Sequence, residues 1–380
     1  GGRRWAGGRM GQAAPKSRRI EDVCEVDMRK KPLGKGSFGA VWRGRLRGAD
    51  GQRVAVKALD KQKMEAMKVL PGQVLTEVEL MRECAGQSQF VQLYDFVDAQ
   101  CSYFLVLELC EGGSLERTAQ EGCALGDGQV ARLVRQLLEG LAFLHDREIC
   151  HRDVKPHNAM LVGRVTSERV SVKLGDFGIA VRLPHGRLLR DKAGSPAFMA
   201  PEMHLLPDGS AGYDHKVDAW AVGAVAVFLL AHQHAFVDEA GRLMREELLR
   251  GDLPIWEGGA LSGLLQRVAG MGARRPPSLA QDFVHRLLAP NPLQRPTAQG
   301  ALKHKWLRQP APRPPDRPGG RGGAPTLLRG GLGGGPDGRP LPGVAAWVAD
   351  TCGLEALVQR AASPMRARHC ERRRQLAANS

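Results

Sequence analysis

The most informative stretch of this 380-residue sequence is residues 150–158, which read Cys-His-Arg-Asp-Val-Lys-Pro-His-Asn. Asp153 is a carboxylate that can accept the proton of an attacking hydroxyl group, and Lys155 can neutralise the group being transferred. Asn158 offers a neutral side-chain oxygen, which suits Mg²⁺ as a ligand. A second carboxylate, Asp176, follows in residues 173–178, Lys-Leu-Gly-Asp-Phe-Gly. Together these residues predict acid–base chemistry beside a divalent metal ion.

A glycine-rich stretch precedes this cluster, at residues 33–41, Leu-Gly-Lys-Gly-Ser-Phe-Gly-Ala-Val. Its three glycines allow a strand–turn–strand to approach a triphosphate without Cβ clashes. The same glycine spacing also occurs in dinucleotide-binding folds, where the glycines open a helix. Here they lead into residues 40–43, which are strand-like, so the sequence favours a phosphate-covering hairpin.

Lys57 ends the apolar run Val-Ala-Val-Lys at residues 54–57. One interpretation is a surface lysine on an edge strand. The other is a cation that pairs with nucleotide phosphates and is held by a carboxylate. Glu77 is the candidate carboxylate, on a helix predicted over 73–84; Glu79 lies about 200° away around that helix and is expected to face water.

Periodicity predicts a small β-rich part followed by a larger helical part. Strands are expected at 40–45, 53–58, 90–96 and 103–107. After the helix at 73–84, an apolar helical stripe runs from Val130 to Leu144, and further helices are expected at 215–232, 242–250, 279–288 and 297–306.

In their order and spacing, these motifs resemble the protein-kinase family. Three further matches are Ala-Pro-Glu at 200–202, the buried-helix motif at 218–223, and Arg295, which resembles the arginine that pairs with Glu202. The resemblance covers roughly residues 27–307. It implies an α+β, bilobal protein-kinase fold, with an antiparallel β-rich N-lobe containing one helix (27–109) and a mainly helical C-lobe (110–307).

The resemblance also implies roles for individual residues. Asp153, Lys155, Lys57 and Glu77 are the implied catalytic set, and Asn158 and Asp176 are the implied Mg²⁺ ligands. Val41, Ala55 and Met160 would sandwich the adenine ring of ATP, Leu107 would be the gatekeeper, and Glu108 and Cys110 would offer backbone groups to adenine. The full set of implied nucleotide contacts is Leu33, Gly34, Lys35, Gly36, Ser37, Phe38, Gly39, Ala40, Val41, Ala55, Lys57, Leu107, Glu108, Cys110 and Met160.

Two residues favour serine or threonine as the phosphate acceptor. Lys155 is the residue found at this position in serine/threonine kinases, and Ser195 resembles the hydroxyl residue that hydrogen-bonds Asp153 and Lys155 in them. Residues 175–180, 195–199 and 282–288 look most like the calcium/calmodulin-dependent kinase group. The resemblance therefore implies an ATP-dependent serine/threonine protein kinase; the alternative is a pseudokinase-like scaffold that binds nucleotide and partners with little turnover.

The segment 179–194 contains no serine, threonine or tyrosine, so the usual phosphorylation switch has no acceptor there. Asp191 lies three residues before Gly194, where many kinases carry a phosphorylated threonine. We expect its carboxylate to pair with Arg152 and to replace that phosphate. The alternative is a solvated loop aspartate.

The net charge of +15 is concentrated in the flanks: residues 1–20 hold no acid, and residues 308–380 hold twelve arginines and five acids. We expect a basic disordered arm at 1–20, a Pro/Gly/Arg-rich disordered linker at 308–343, and a short basic helical segment or tail at 344–380. Residues 341–374, which overlap this tail, have a composition seen in calmodulin targets, in autoinhibitory helices and in plain basic tails. Residues 258–277 are expected to be an insertion. No nucleic-acid partner is predicted, because no folded basic face is indicated.

The remaining features concern location. None of the eight cysteines has Cys-x-x-Cys spacing, which disfavours zinc. A disulfide framework would be unusual in a chain of this length, so we expect a reducing, intracellular and cytoplasmic location. The longest apolar run, residues 219–231, is too short to cross a bilayer, and no transmembrane segment is predicted.

Overall fold

The computed structural model describes residues 18–48, 51–123, 125–163, 170–253 and 276–308. The chain divides into two compact units. Unit 1 comprises Gly1–Gly86 and Gln92–Leu109, and unit 2 comprises Gln87–Val91 and Cys110–Ser380. Most of the predicted insertion at 258–277, the predicted linker from 309 onward and the predicted C-terminal segment lie outside the described residues.

Unit 1 is built on a six-stranded antiparallel sheet. The strands are β1 (Cys24–Val26), β2 (Gly34–Gly36), β3 (Gly39–Leu46), β4 (Arg53–Asp60), β5 (Leu93–Asp98) and β6 (Ser102–Glu108). They lie in the order β1-β3-β4-β6-β5, and β2 also pairs with β3. β1 was not predicted. It extends the sheet N-terminal to residue 27, and Ile20 of the predicted disordered arm is buried, so the ordered part begins earlier than expected.

The two faces of this sheet have different side chains because successive residues of a strand point to opposite sides. One face carries Val54, Val56, Ala58, Phe104 and Val106, which pack with residues of β1 and the segment before it into an apolar core. Lys57 lies between these positions on β4 and therefore points to the other face, in register with Val41 of β3 and Leu105 of β6. Sheet pairing thus places the predicted nucleotide-facing residues away from this core.

Two helices belong to unit 1, α1 (Lys61–Ala66) and α2 (Pro71–Glu83). α2 matches the predicted helix, with Pro71 at its first turn, where the missing N–H of proline costs nothing. α1 corrects the prediction of a single helix: it is six residues long and is capped by Asp60, whose carboxylate accepts from the Lys63 N–H at 3.0 Å.

Unit 2 is mainly helical. Its helices are α3 (Leu115–Gln120), α4 (Asp127–His145), α5 (Pro201–His204), α6 (Lys216–Ala231), α7 (Arg245–Arg250), α8 (Ser278–Leu287) and α9 (Ala298–Ala301). α4 buries the predicted apolar stripe, and nearly every residue of α6 is buried. The predicted helix at 297–306 is interrupted: α9 ends at Ala301 and a 3₁₀ helix covers Lys305–Arg308. The contents of the two units confirm the predicted α+β class.

A buried ion pair connects distant parts of unit 2. The Arg295 guanidinium donates to both carboxylate oxygens of Glu202 on α5, at 2.7 and 3.0 Å, and it also donates to the carbonyl of Lys216 at the start of α6. Both partners are almost fully buried. Parallel hydrogen bonds of this kind are the strongest form of arginine–carboxylate pairing. The pair predicted from the sequence is therefore confirmed.

Short strands complete unit 2. β7 (Gly113–Ser114), β9 (Ala159–Val162) and β10 (Ser171–Leu174) form one small sheet, and β8 (Ile149–Cys150) pairs with β11 (Val181–Arg182). These strands matter because residues 151–158 connect β8 to β9, and residues 175–180 connect β10 to β11. Within the described residues, no helix is both long enough and apolar enough to cross a membrane.

Candidate active site

The glycine-rich stretch forms a tight hairpin in unit 1. β2 and β3 pair from Gly34 opposite Val41 to Gly36 opposite Gly39, so Ser37 and Phe38 form the turn. The Phe38 carbonyl accepts from the Asp60 N–H at 2.8 Å, which ties the turn to β4. A Cβ at Gly39 would lie 1.8 Å from the Ala58 carbonyl oxygen, so only glycine fits there. The hairpin contains all the predicted phosphate-covering residues, and Leu33 precedes it with its N–H bonded to Val41.

Lys57 and Glu77 form an ion pair inside unit 1. The Lys57 Nζ lies 2.8 Å from Oε1 of Glu77, and the Glu77 side chain is only 4% exposed. Such a buried carboxylate needs a charged partner, because burial without one is strongly unfavourable. Glu79 is exposed, as predicted. The expected partnership of Lys57 and Glu77 is confirmed, and it fixes the position of the ammonium group on the sheet.

The residues predicted to surround adenine are distributed over both units. In unit 1, Ala55 lies opposite Leu107 in the β4–β6 pairing, and the Glu108 backbone N–H donates to the Gln92 carbonyl at 2.8 Å. In unit 2, Cys110 is buried, and Met160 is half-buried on β9. Their roles in nucleotide binding remain predictions.

Asp153 is the centre of a compact polar cluster in unit 2. Its Oδ1 accepts from the Ser195 hydroxyl at 2.9 Å, and its Oδ2 lies 2.8 Å from the Lys155 ammonium and 2.9 Å from Nδ2 of Asn158. Lys155 also donates to the Ser195 oxygen at 2.8 Å. The Asp153 side chain remains 12% exposed. The hydrogen bonds of Ser195 expected from the sequence are confirmed, and they hold the carboxylate in one orientation while leaving it accessible.

Asn158 and Asp176 are brought to the same end of a small sheet. Asn158 precedes β9 and Asp176 follows β10, and the Gly175 N–H donates to the Asn158 carbonyl at 2.9 Å. The Asn158 amide nitrogen donates to Asp153, and its side-chain oxygen lies 3.1 Å from Nδ1 of His157. That oxygen has two lone pairs, so it can act as a ligand through the second one. Within the described ranges, no group of three or more His, Cys, Asp or Glu side chains could hold a metal ion. One carboxylate and one amide oxygen suit Mg²⁺, which usually takes few protein ligands and fills its shell with phosphates and water.

Phe177, next to Asp176, anchors the end of β10. Its buried ring lies 5.8 Å from the ring of Phe90 and 5.1 Å from that of His151, measured between centroids. Aromatic pairs at such separations are favourable beyond their buried area. Asp176 itself has a left-handed backbone, with a φ of 61°, and its side chain is exposed. The packed phenylalanine therefore fixes the place where the carboxylate emerges.

Asp218 is a positioning residue whose contacts the sequence did not predict. It lies in the first turn of α6, fully buried, and its carboxylate accepts from the backbone N–H groups of His151 and Arg152 at 2.9 and 2.8 Å. His145 lies 2.9 Å from the same carboxylate. Burial alone would raise the pKa of Asp218, but the hydrogen bonds and charges of His145 and His151 outweigh it and lower the pKa to about 2. Asp218 thus holds the loop that carries Asp153.

Arg152 connects this loop to the segment that follows β11. Its side chain donates to the Ile179 carbonyl at 2.7 Å, pairs with the Asp191 carboxylate at 2.5 Å, and lies 3.1 Å from the Tyr213 hydroxyl. The Arg152 side chain is 7% exposed and that of Asp191 is 58% exposed. The contact between Arg152 and Asp191 is therefore confirmed, while its effect on activity stays a prediction.

Comparison with known proteins shows which family this chain resembles. A family model described as protein kinase domain matches residues 28–307. A calcium/calmodulin-dependent protein kinase type 1 of Caenorhabditis elegans is 30% identical over 281 residues, which cover 72% of this chain and 72% of that protein. A putative CBL-interacting protein kinase 27 of Oryza sativa is 32% identical over 309 residues, covering 79% and 68% of the two chains. A probable myosin light chain kinase of Dictyostelium discoideum is 29% identical over 297 residues, covering 77% and 69%.

Proposed function

This chain belongs to the protein kinase family, and on that premise we propose that it transfers the γ-phosphoryl group of ATP to serine or threonine hydroxyls of protein substrates. The observation that carries the proposal is the Asp153 cluster. A carboxylate that is fixed by Ser195 and Asn158, accompanied by the Lys155 ammonium and still accessible, is suited to accept a hydroxyl proton.

The proposed nucleotide contacts follow from the geometry within each unit. In unit 1, backbone N–H groups at the turn of the β2–β3 hairpin would face phosphate oxygens, and Lys57, held by Glu77, would supply a fixed positive charge. In unit 2, Asn158 and Asp176 would hold Mg²⁺, which, when bound, neutralises charge on the phosphate oxygens. The presence of Lys57, Asp153 and Asp176 favours turnover over the alternative of a nucleotide-binding scaffold.

The proposed chemical step is a direct transfer. The acceptor hydroxyl oxygen forms a bond to the γ-phosphorus while the bond from that phosphorus to the ADP oxygen breaks. The hydroxyl proton passes to the Asp153 carboxylate. Lys155, which lies 2.8 Å from Asp153, offsets the negative charge of the phosphoryl oxygens. Asn158 keeps the Asp153 carboxylate turned toward the incoming hydroxyl through the bond to Oδ2.

The first prediction concerns Asp153. Asp153→Asn keeps the size of the side chain but removes the base, so we expect turnover of ATP–Mg²⁺ with a serine- or threonine-containing peptide library to fall by about 10²- to 10⁴-fold. Nucleotide affinity, measured separately, should change little. Asp146→Asn, an exposed aspartate just after α4, is the matched control and should keep full turnover.

Three outcomes would contradict this proposal. Binding of nucleotide by the wild-type chain without phosphorylation of any peptide would support the scaffold alternative instead. Equal turnover by wild type and Asp153→Asn would remove Asp153 from the role of base. Phosphorylation confined to tyrosine peptides would overturn the assignment of serine and threonine as acceptors.

Residues 341–374 carry a second proposal, contact with calmodulin. One relative is named as a calcium/calmodulin-dependent kinase, and this stretch combines Trp347 and aliphatic residues with a basic end. The test is binding of calmodulin to the full chain with Ca²⁺ and with a chelator. Equal binding in both conditions, or none, would contradict it.

A further inference from the structure

A pair of cations in unit 2 lies beside the segment that follows Gly194. Arg245 begins α7 and donates from Nη2 to the His204 carbonyl at 3.5 Å. The His204 ring nitrogen Nε2 lies 3.0 Å from the Pro196 carbonyl oxygen. Lys192 is three residues before Ser195, and partial burial together with the positive charge of Arg245 lowers its pKa. Arg245 is thus connected through His204 to the turn at Pro196, and Lys192 precedes that turn by four residues.

No carboxylate of the described part of the chain compensates these two charges. Within the described ranges, neither Lys192 nor Arg245 forms an ion pair, although both side chains are exposed. Two other cations of this region are paired: Arg250 at the other end of α7 pairs with Asp252, and Arg242 pairs with Asp238. Two like charges held together cost free energy unless an anion joins them. This part of the surface is therefore complementary to a negatively charged group from another molecule.

The position of the pair relative to Asp153 indicates what that molecule is. The Ser195 hydroxyl donates to Asp153 at 2.9 Å, and Pro196 is the next residue. A substrate hydroxyl that reaches Asp153 must therefore lie beside Ser195, with its neighbouring residues running past Pro196. Each residue of an extended peptide adds about 3.3 Å, so residues within about three positions of the acceptor come within reach of long basic side chains.

We propose that Lys192 and Arg245 form a subsite for an anionic substrate residue close in sequence to the phosphorylated serine or threonine. The inference rests on the kinase function proposed above and extends it to substrate choice. Arg245 offers a planar fork that matches carboxylate or phosphate oxygens, and Lys192 adds a point charge. Aspartate and glutamate supply carboxylate oxygens, and a previously phosphorylated residue supplies phosphate oxygens. The segment at 308–380 carries a net positive charge, like the two cations of the subsite, and therefore does not fit it.

The test uses the full chain with ATP–Mg²⁺ and peptides that share one serine acceptor. At each of the three positions on either side of the acceptor, the peptides carry alanine, glutamate, phosphoserine or lysine. At one position or more, we expect the wild type to show a kcat/KM for glutamate or phosphoserine about two- to fivefold above that for alanine, the size of one exposed charge pair. The glutamate and phosphoserine arms decide which anion the subsite takes.

Variants connect that preference to the two cations. In Lys192→Met/Arg245→Gln, the ratio of kcat/KM for the acidic peptide to that for the alanine peptide should fall to about one. Arg245→Glu should reverse the preference toward the lysine peptide, a gain that loss of folding cannot produce. Arg250→Gln, on the same helix but paired with Asp252, is the matched control and should leave the ratio unchanged.

Binding separates this inference from the proposed function. Affinities of the same peptides with alanine in place of the acceptor serine measure the subsite without chemistry. An acidic preference in binding with no turnover would support the subsite and contradict the kinase activity. Turnover and binding without an acidic preference, or a preference that persists in the double variant, would overturn the subsite.

Discussion

The backbone of Arg152 adopts a left-handed conformation, with a φ of 67°. For a residue with a Cβ this costs roughly 1–2 kcal/mol, so the surroundings must compensate. They do so on both sides: Asp218 accepts from the Arg152 N–H, and the guanidinium is held by Ile179 and Asp191. The conformation of the residue before Asp153 therefore depends on contacts from two other segments of unit 2.

The contact between Arg152 and Asp191 can be tested by substitution of Asp191. Asp191→Ala leaves the buried Arg152 guanidinium without its carboxylate, so we expect kcat/KM to fall about tenfold or more through looser placement of the Asp153 loop. Asp191→Glu should restore part of the activity. Asp252→Ala is the matched control, because Asp252 is equally exposed but pairs with an exposed arginine. Full activity of Asp191→Ala would show that the pair is a surface contact without functional weight.

The predictability of the site also differs from residue to residue. Asp153, Lys155 and Asn158 could be assigned because they are neighbours in one short motif. The anchoring by Asp218 could not, since the motif at 218–223 indicated only a buried helix, and its partners lie 66 and 67 positions away in the chain. One signal was available: Asp218 is the acid in the first turn of an otherwise apolar helix, and a buried charge needs polar partners.

Among the helices and strands, the long and strongly patterned ones could be predicted, while most of the short ones, apart from α7, could not. α4 and α6 matched their apolar patterns, whereas α1 has six residues and one buried side chain, Met64, so it has no periodicity to detect. The strand expected at 90–96 begins at Leu93, because Phe90 bridges to Leu174 in unit 2. An apolar run looks the same in sequence whichever unit it packs into.

The contact between α6 and α8 allows a prediction for packing. A Cβ added at Gly223 would lie 2.9 Å from Leu287 Cβ and 2.9 Å from Leu288 Cδ2, closer than carbon atoms tolerate. Gly223→Val should therefore lower the free energy of unfolding by about 1–3 kcal/mol through overpacking. Urea unfolding measures this loss. Gly72→Val in α2 is the control, since nothing lies within 4 Å of that position and only a small change is expected. Equal stability of wild type and Gly223→Val would mean that the two helices separate at little cost.

For the whole molecule, the buried histidines determine how stability depends on pH. Burial lowers the pKa of His234 to about 4, and burial with the charges of Lys192 and Arg245 does the same for His204. In the unfolded chain both titrate near 6.5. Between these values the unfolded state binds more protons than the folded state, so stability must fall as the pH drops from about 6.5 to about 4. His151 and His215, whose pKa values are also lowered by burial, act in the same direction.

His234→Phe isolates one share of this effect. The His234 ring lies against Phe198 and Phe228, with centroids 5.5 and 5.0 Å away, so a phenylalanine ring can occupy the same place without titrating. We expect the free energy of unfolding, measured with urea from pH 7.5 to pH 5, to decline with pH less steeply in the variant. The difference should approach about 1.4 kcal/mol per pH unit below pH 6, the value for one proton taken up on unfolding. Identical slopes for the two chains would show that His234 binds its proton equally well in the folded state, and that acid sensitivity arises elsewhere.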